Sequence, residues 1–169
     1  MVQLYTGEGK GKTTAAVGLT LRAMGNGWKV LFVQFMKGRR SGETEMLERC
    51  GGGNLKTLRN WDGSFVLEGA TPEQIGMVEE LFASMQRELE EFQPDLLVLD
   101  EVVVAVTLGL LPQSRLLDFL KSRPESVEAV MTGRGATEEM VQMCDLVTEM
   151  RKIKHYYDRG IEAREGIEY

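Results

Sequence analysis

A short apolar run, Val2-Gln3-Leu4-Tyr5, leads straight into Thr6-Gly7-Glu8-Gly9-Lys10-Gly11-Lys12-Thr13-Thr14. A strand that feeds a glycine-rich turn ending in Gly-Lys-Thr reads as a phosphate-binding loop followed by a helix. Holding a polyphosphate needs several backbone N–H groups aimed at one point. Glycines 7, 9 and 11 allow positive φ angles and close approach of the backbone to the ligand. The helix that begins near Lys12 adds free N–H groups and the positive end of its dipole. Lys12 supplies a mobile positive charge, and the Thr13 hydroxyl is placed to bind Mg²⁺.

The loop is a variant. The usual spacing asks for glycine five places before Gly11, and Thr6 stands there. Lys10 reads two ways, as a phosphate contact or as a solvated side chain.

The rest of the chain alternates strands with helices. The first helix spans Lys12 to about Gly25, and Gly25-Asn26-Gly27 predicts a left-handed cap at its end. Val30 to Phe35 predicts a strand buried on both faces. A polar loop follows from Lys37 to Ser41, then a short helix through Glu48 that Gly51-Gly52-Gly53 breaks. Leu55 to Leu58 is a weak third strand, and Asn60 to Gly69 has the character of a loop. Thr71-Pro72-Glu73-Gln74 predicts a capped helix start, with a capping box closed by Gln74. Ile75, Val78, Leu81, Phe82, Met85, Leu89 and Phe92 then recur at helical spacing, which predicts a core-facing stripe. Pro94 ends that helix.

Leu96-Leu97-Val98-Leu99-Asp100-Glu101 is the clearest buried strand. Val102 to Val106 fits either a strand or a buried helix. Pro112 to Leu120 predicts a helix, Val127 to Thr132 a strand, Thr137 onward a helix, and Leu146 to Met150 a last strand. Such alternation implies a parallel sheet covered on both faces. Ligands in such sheets sit at the carboxyl ends of the strands, where Gly7, Lys37, Asp100, Glu101 and Arg134 all fall.

With 169 residues, the chain suits one domain, 1–169. Its 43% hydrophobic and 27% charged residues fit a globular protein. The net charge of −6, with local basic clusters at Lys10 and Lys12, at Lys37, Arg39 and Arg40, and at Arg151, Lys152 and Lys154, suits a small anionic ligand better than long nucleic acid. Cys50 and Cys144 make neither a disulfide framework nor a zinc site, and reduced thiols point to the cytoplasm. No signal peptide and no membrane-spanning run is expected.

Asp100-Glu101 is the second half of the expected site. A carboxylate at a strand end opposite a phosphate loop holds Mg²⁺ directly or through water. Thr13, Asp100 and Glu101 are thus the candidate metal ligands. Glu101 marks a fork: in a hydrolase it can orient an attacking water, and in a transferase it binds metal or positions substrate. His155, the one histidine, reads as structural or as a substrate contact.

These residues together suggest a family. Thr6 to Ala16 resembles the opening of the P-loop type of ATP:corrinoid adenosyltransferase, which shares the threonine-first loop. Arg22 stands where that family's first helix carries an arginine. Val33-Gln34-Phe35-Met36-Lys37-Gly38, Gly42-Glu43 and Val98-Leu99-Asp100-Glu101 resemble its middle blocks. Thr132-Gly133-Arg134-Gly135 and the tail Lys154-His155, Gly160 and Gly166-Ile167-Glu168-Tyr169 resemble its C-terminal third. The resemblance implies an α/β, RecA-like three-layer P-loop fold with a mostly parallel central sheet of about six strands.

It also implies a reaction. Cobalt(I) of a reduced corrinoid attacks the 5′ carbon of ATP, the adenosyl group moves to cobalt, and inorganic triphosphate leaves. The resemblance gives Lys12, Thr13 and Glu101 catalytic roles. Gly7, Glu8, Gly9, Lys10, Gly11, Lys12, Thr13, Thr14, Arg22 and Arg134 would hold the nucleotide. The family binds the triphosphate in reversed orientation. An electron-donor protein and a homodimer are further implications. Two features depart from the family. Its members often carry an N-terminal extension before the first strand, which this sequence lacks. The usual Gly-Phe-Thr-Trp loop corresponds here to Gly63-Ser64-Phe65-Val66 with Trp61 just before it. Trp61 and Phe65 are therefore candidates for the corrinoid face or for the core. A P-loop NTPase or small-molecule kinase is the alternative enzyme, and a nucleotide sensor or corrinoid carrier the non-catalytic one.

Overall fold

The computed structural model describes residues 1–38, 41–67 and 69–168. The basic pair Arg39 and Arg40, Glu68 in the loop after Asn60, and Tyr169 of the tail lie outside the described residues. Six strands form one sheet: β1 (Val2–Thr6), β2 (Val30–Gln34), β3 (Leu55–Leu58), β4 (Leu96–Asp100), β5 (Glu128–Thr132) and β6 (Leu146–Glu149). Their order is β3-β2-β4-β5-β1-β6. Every pairing is parallel, so the sheet is wholly rather than mostly parallel.

Alternation along each strand builds the three layers. Val30, Phe32, Leu96, Val98 and Val130 point to one side, where they pack with Ala16 and Ala23 of α1 (Lys12–Gly25) and Leu47 of α2 (Gly42–Gly51). Leu31, Val33, Leu97, Leu99, Ala129 and Met131 point to the other. There they meet α3 (Pro72–Phe92), α4 (Val102–Thr107), α5 (Gln113–Ser122) and α6 (Glu138–Met143) through Val78, Phe82, Val103, Leu116, Leu120 and Met140. Phe82 and Phe119 meet edge to face at 5.3 Å between centroids, a favoured aromatic geometry.

Local chemistry sets the helix boundaries. Thr71 accepts from the Gln74 amide and Gln74 returns a side-chain oxygen to the Thr71 amide, so the expected capping box opens α3. The ambiguous run after Glu101 is helix α4. Its Val102, Val103 and Ala105 are buried under the sheet, where helical hydrogen bonds satisfy a backbone that has no neighbouring strand to pair with. Helix α2 continues past Glu48 to Gly51 before the glycines turn the chain through a 3₁₀ segment, Gly52–Asn54. At the end of α1 the left-handed residue is Gly27, at φ +80°, while Asn26 stays at φ −100°. Among the described residues no helix is long and apolar enough to cross a membrane.

Candidate active site

The carboxyl ends of β1, β2, β4 and β5 share one rim, and a cleft of ≈ 580 Å³ opens there. Its lining includes Gly9, Lys10, Gly11, Lys12, Thr13 and Thr14 from the loop, Lys37 and Glu43 beyond β2, Glu101 beyond β4, and Arg134 beyond β5. Residues from Gly9 to Arg134 are thus gathered by a parallel sheet, as the strand–helix alternation requires.

The loop geometry accounts for its glycines. Gly11 sits at φ +120° and caps α1 without a side chain. The first helical bond runs from the Ala15 amide to the Gly11 carbonyl, so the amides before Ala15 are not consumed by the helix. Gly9 donates to the Met150 carbonyl at 2.5 Å, and a Cβ at Gly9 would collide with that same oxygen. Lys12 bends back over the loop, donating to the carbonyls of Gly7 at 2.7 Å and Gly9 at 2.8 Å. Burial, and next the Arg134 guanidinium, push the Lys12 ammonium below its ordinary pKa, while Glu101, Glu8 and Asp100 pull it back. Glu8 and Arg134 face each other at 3.4 Å, both well exposed.

Facing the loop is a buried polar chain. Asp100 is fully buried, and its Oδ1 accepts from the hydroxyls of Thr13 at 2.9 Å and Thr132 at 2.8 Å. Its Oδ2 accepts from Gln34 Nε2 at 3.3 Å. Gln34 in turn accepts from Thr44, which bonds Ser41. The Glu101 amide donates to Thr132 Oγ1. Glu101 occupies the left-handed region at φ +62°, which turns its carboxylate into the cleft immediately after the strand. Burial, reinforced by the Asp100 carboxylate, holds Glu101 above the usual carboxylate range against the pull of Lys12, Lys37 and Arg134. Lys37 and Glu43 pair at 2.7 Å in the same cleft. Burial works to raise the Glu43 pKa, but the Lys37 hydrogen bond and its own backbone bond outweigh it and leave it lowered.

Most residues expected at the site therefore meet, and His155 joins them in the cleft wall. Arg22 does not. It sits exposed in the last turn of α1, about 15 Å along the axis from Lys12 at 1.5 Å per residue. Of the two readings open for Trp61, the structure matches the core: it is 6% exposed, packs in the core, and donates Nε1 to the Ser64 carbonyl. Phe65 is the exposed member of the pair, at 83%. Its loop abuts the cleft segment, since a Cβ on Gly38 would clash with the backbone of Asp62 and Gly63. Gln34, Thr44 and Thr132 carry the network around Asp100 and were missed as site residues. The available signal was their place at strand ends beside the acidic strand.

The donors suit a hard divalent cation. The Thr13 hydroxyl and the Asp100 and Glu101 carboxylates offer oxygen only. Among the described residues no three His, Cys, Asp or Glu side chains gather into a cage, so phosphate oxygens and water would have to complete the coordination, as Mg²⁺ prefers.

A parallel sheet with a glycine-rich loop at its rim, a buried lysine, and an acidic strand end opposite defines a P-loop nucleotide-binding protein. Comparison with known proteins narrows the class. Residues 1–169 match the family model of ATP:corrinoid adenosyltransferase BtuR/CobO/CobP, and the chain belongs to this family. It is 34% identical over 172 residues to a corrinoid adenosyltransferase of Escherichia coli (strain K12), covering 100% of this chain and 85% of that protein. It is likewise 34% identical over 176 residues to the corrinoid adenosyltransferase CobA of Salmonella typhimurium, covering 100% and 85%. A corrinoid adenosyltransferase of a Sinorhizobium species is 30% identical over 171 residues, covering 100% and 80%.

Proposed function

We propose that the cleft carries out adenosyl transfer with its loop gripping the leaving group. The reaction is transfer of the 5′-deoxyadenosyl group of ATP to cobalt(I) of a reduced corrinoid, with release of inorganic triphosphate. The cobalt(I) electron pair forms the cobalt–carbon bond, the C5′–oxygen bond breaks, and its electron pair departs with triphosphate. Negative charge therefore grows on the polyphosphate, not on a transferred phosphoryl group. The amides that open α1 and the Lys12 ammonium stabilise that growing charge in the transition state. Cobalt(I) is the nucleophile, so no general base is required.

The observation that carries this reading is the meeting of Lys12, Thr13, Glu101 and Arg134 in one cleft, in a chain that matches the family along its whole length. Mg²⁺ would be held by the Thr13 hydroxyl with Asp100 and Glu101, and when bound it supplies counter-charge to the triphosphate. Arg134 reaches phosphate or ribose. Phe65 and its exposed neighbour Leu67 offer an apolar surface for the corrinoid. The reductant that makes cobalt(I) is a separate electron-donor protein. The working unit is a cytoplasmic homodimer of one-domain chains.

Anaerobic incubation with ATP, magnesium and chemically reduced corrinoid tests the reaction. The expected result is a change in the corrinoid absorption spectrum as the cobalt–carbon bond forms, with one triphosphate per turnover. ADP or orthophosphate as the product, with the corrinoid spectrum unchanged, would establish the kinase or NTPase reading instead. Lys12→Ala should weaken ATP binding by roughly ten- to a hundredfold, the size of a lost charge-assisted hydrogen bond. Titration calorimetry with ATP and magnesium measures it.

A further inference from the structure

The second lysine of the loop is already engaged, and not by the loop. Lys10 Nζ donates to the backbone carbonyl of Ile167 and to the Tyr156 hydroxyl at 3.3 Å, and it pairs with Glu168 Oε1 at 3.3 Å. Glu168 is the hub of this cluster. It accepts from the Tyr156 hydroxyl, from the Arg164 amide at 2.6 Å, and from Arg164 Nη2 at 3.3 Å. The Arg164 guanidinium lies 4.7 Å from the centre of the Tyr156 ring. The tail is tied down at its other end by the bond from the Gly9 amide to the Met150 carbonyl. Between these two ties the chain returns across the loop, and His155, Gly166, Ile167 and Glu168 line the same cleft as Lys12 and Glu101.

We propose that Lys10 is a positioning residue. It fastens residues 155–168 as a strap that forms one wall of the nucleotide cleft, with Glu168 as the hub, and it acts on nucleotide binding through that wall. This rests on the reading of the cleft as an ATP site. The charges explain why the arrangement needs both partners. The Glu168 carboxylate in the wall would repel a polyphosphate, and Lys10 joins Arg164 in neutralising it. Among the described residues the strap's other bonds are internal, Lys152 to Asp158 at 3.0 Å among them, while residues 151–154 and 158–166 are all exposed, and Ile153 and Tyr157 are largely in solvent. Segments with few buried contacts open at low free energy, so the position of this wall depends on its polar ties.

The alternative role for Lys10, direct contact with phosphate, predicts the opposite sign in one variant. Releasing Lys10 from its carboxylate would then free it for the nucleotide. The experiment is a double-mutant cycle with Lys10→Ala and Glu168→Gln, read by calorimetric binding of ATP with magnesium and by hydrogen exchange of residues 155–168 in the nucleotide-free protein. Both single variants should weaken ATP binding, roughly three- to tenfold, the scale of one modest hydrogen bond. The double variant should be no weaker than the worse single, because both act through one strap. Both should speed exchange in 155–168 while leaving β1 and α1 at the wild-type rate. Lys10→Arg, which keeps a cation and its donors, should restore both readouts. Tighter binding in Glu168→Gln, additive losses in the double variant, or wild-type exchange of the strap in Lys10→Ala would each overturn the proposal. Adenosyl transfer by the unaltered chain is measured alongside. Its absence would sink the assigned reaction, whereas the strap is judged on the exchange and binding data alone.

Discussion

At the scale of single residues, the acidic strand end concentrates cost. Glu101 is held at φ +62°, a conformation that costs a non-glycine residue on the order of 1 kcal/mol or more. Its half-buried carboxylate also sits beside Asp100, and burial first, then the Asp100 charge, raises its pKa. A carboxyl whose folded-state pKa lies above its unfolded value favours folding when protonated. That contribution is complete below the unfolded value and is lost as pH rises through the raised one. At neutral pH the ionised Glu101 therefore works against the fold. Glu101→Gln keeps the side-chain shape and the backbone demand but removes the charge. In chelator-treated protein without nucleotide it should raise Tm at pH 7.5, with the gain shrinking as pH falls toward the ordinary carboxylate range, while adenosyl transfer is lost. Differential scanning calorimetry across that pH range checks it, and a gain that does not change with pH would show that charge burial is not the cause. The meeting of Lys12, Thr13 and Glu101 in one cleft was legible because the loop spacing and the acidic strand end both point to the same rim. Gln34 was not. Its role depends on the register that sets it opposite Asp100, which no local pattern displays. Trp61 stayed open between core and corrinoid face for a related reason: an aromatic in a loop shows nothing of its burial in the local sequence.

At the scale of elements, boundaries were readable where capping chemistry is written locally and obscure where only apolarity is. The α3 start is an example of the first kind. Thr71, Pro72 and Gln74 each fill a position whose preference has a stated cause, and all the expected bonds are made. Helix α4 is an example of the second. Val102 to Val106 has no period to separate helix from strand, and the choice was made by the sharp turn at Glu101 and by burial against β5. Thr71→Ala removes one acceptor from the first turn of a 21-residue helix that packs along the core. It should cost about 1 kcal/mol, or a Tm drop of roughly 2–4 °C for a chain of this size. ATP affinity should stay at the wild-type value, because the cap lies outside the cleft lining. Thermal unfolding and calorimetry on the same preparation check both halves, and a changed ATP affinity would reveal a coupling between α3 and the cleft through the Ser64–Phe65 loop that Gln74 holds.

At the scale of the whole molecule, burial falls steeply from the middle of the sheet to one edge. Strands β2 and β4 are buried along their entire length and β5 nearly so, each with a neighbour on both sides. Among the described residues strand β6 pairs only with β1, and all four of its residues are exposed, Leu146 and Val147 included. The phosphate loop sits between these regimes. It leaves β1, beside the protected β5, yet its glycines press against Met150, the residue that follows β6. A ligand held by the loop should therefore draw its stability from the firm side and lend it to the soft one. Hydrogen exchange gives this a direct measure. Without nucleotide, amides of β2, β4 and β5 should exchange most slowly and those of β6 and the tail fastest among the strands and their extensions. With saturating ATP and magnesium, protection should rise in the loop, at the end of β6 and in the tail, and should change little in β2 and β4, where exchange already follows global unfolding. Increased protection confined to the loop, with β6 unaltered, would mean that the edge of the sheet is energetically separate from the nucleotide site. Protection that spreads to β6 would instead make the least buried strand a part of the machinery that receives ATP.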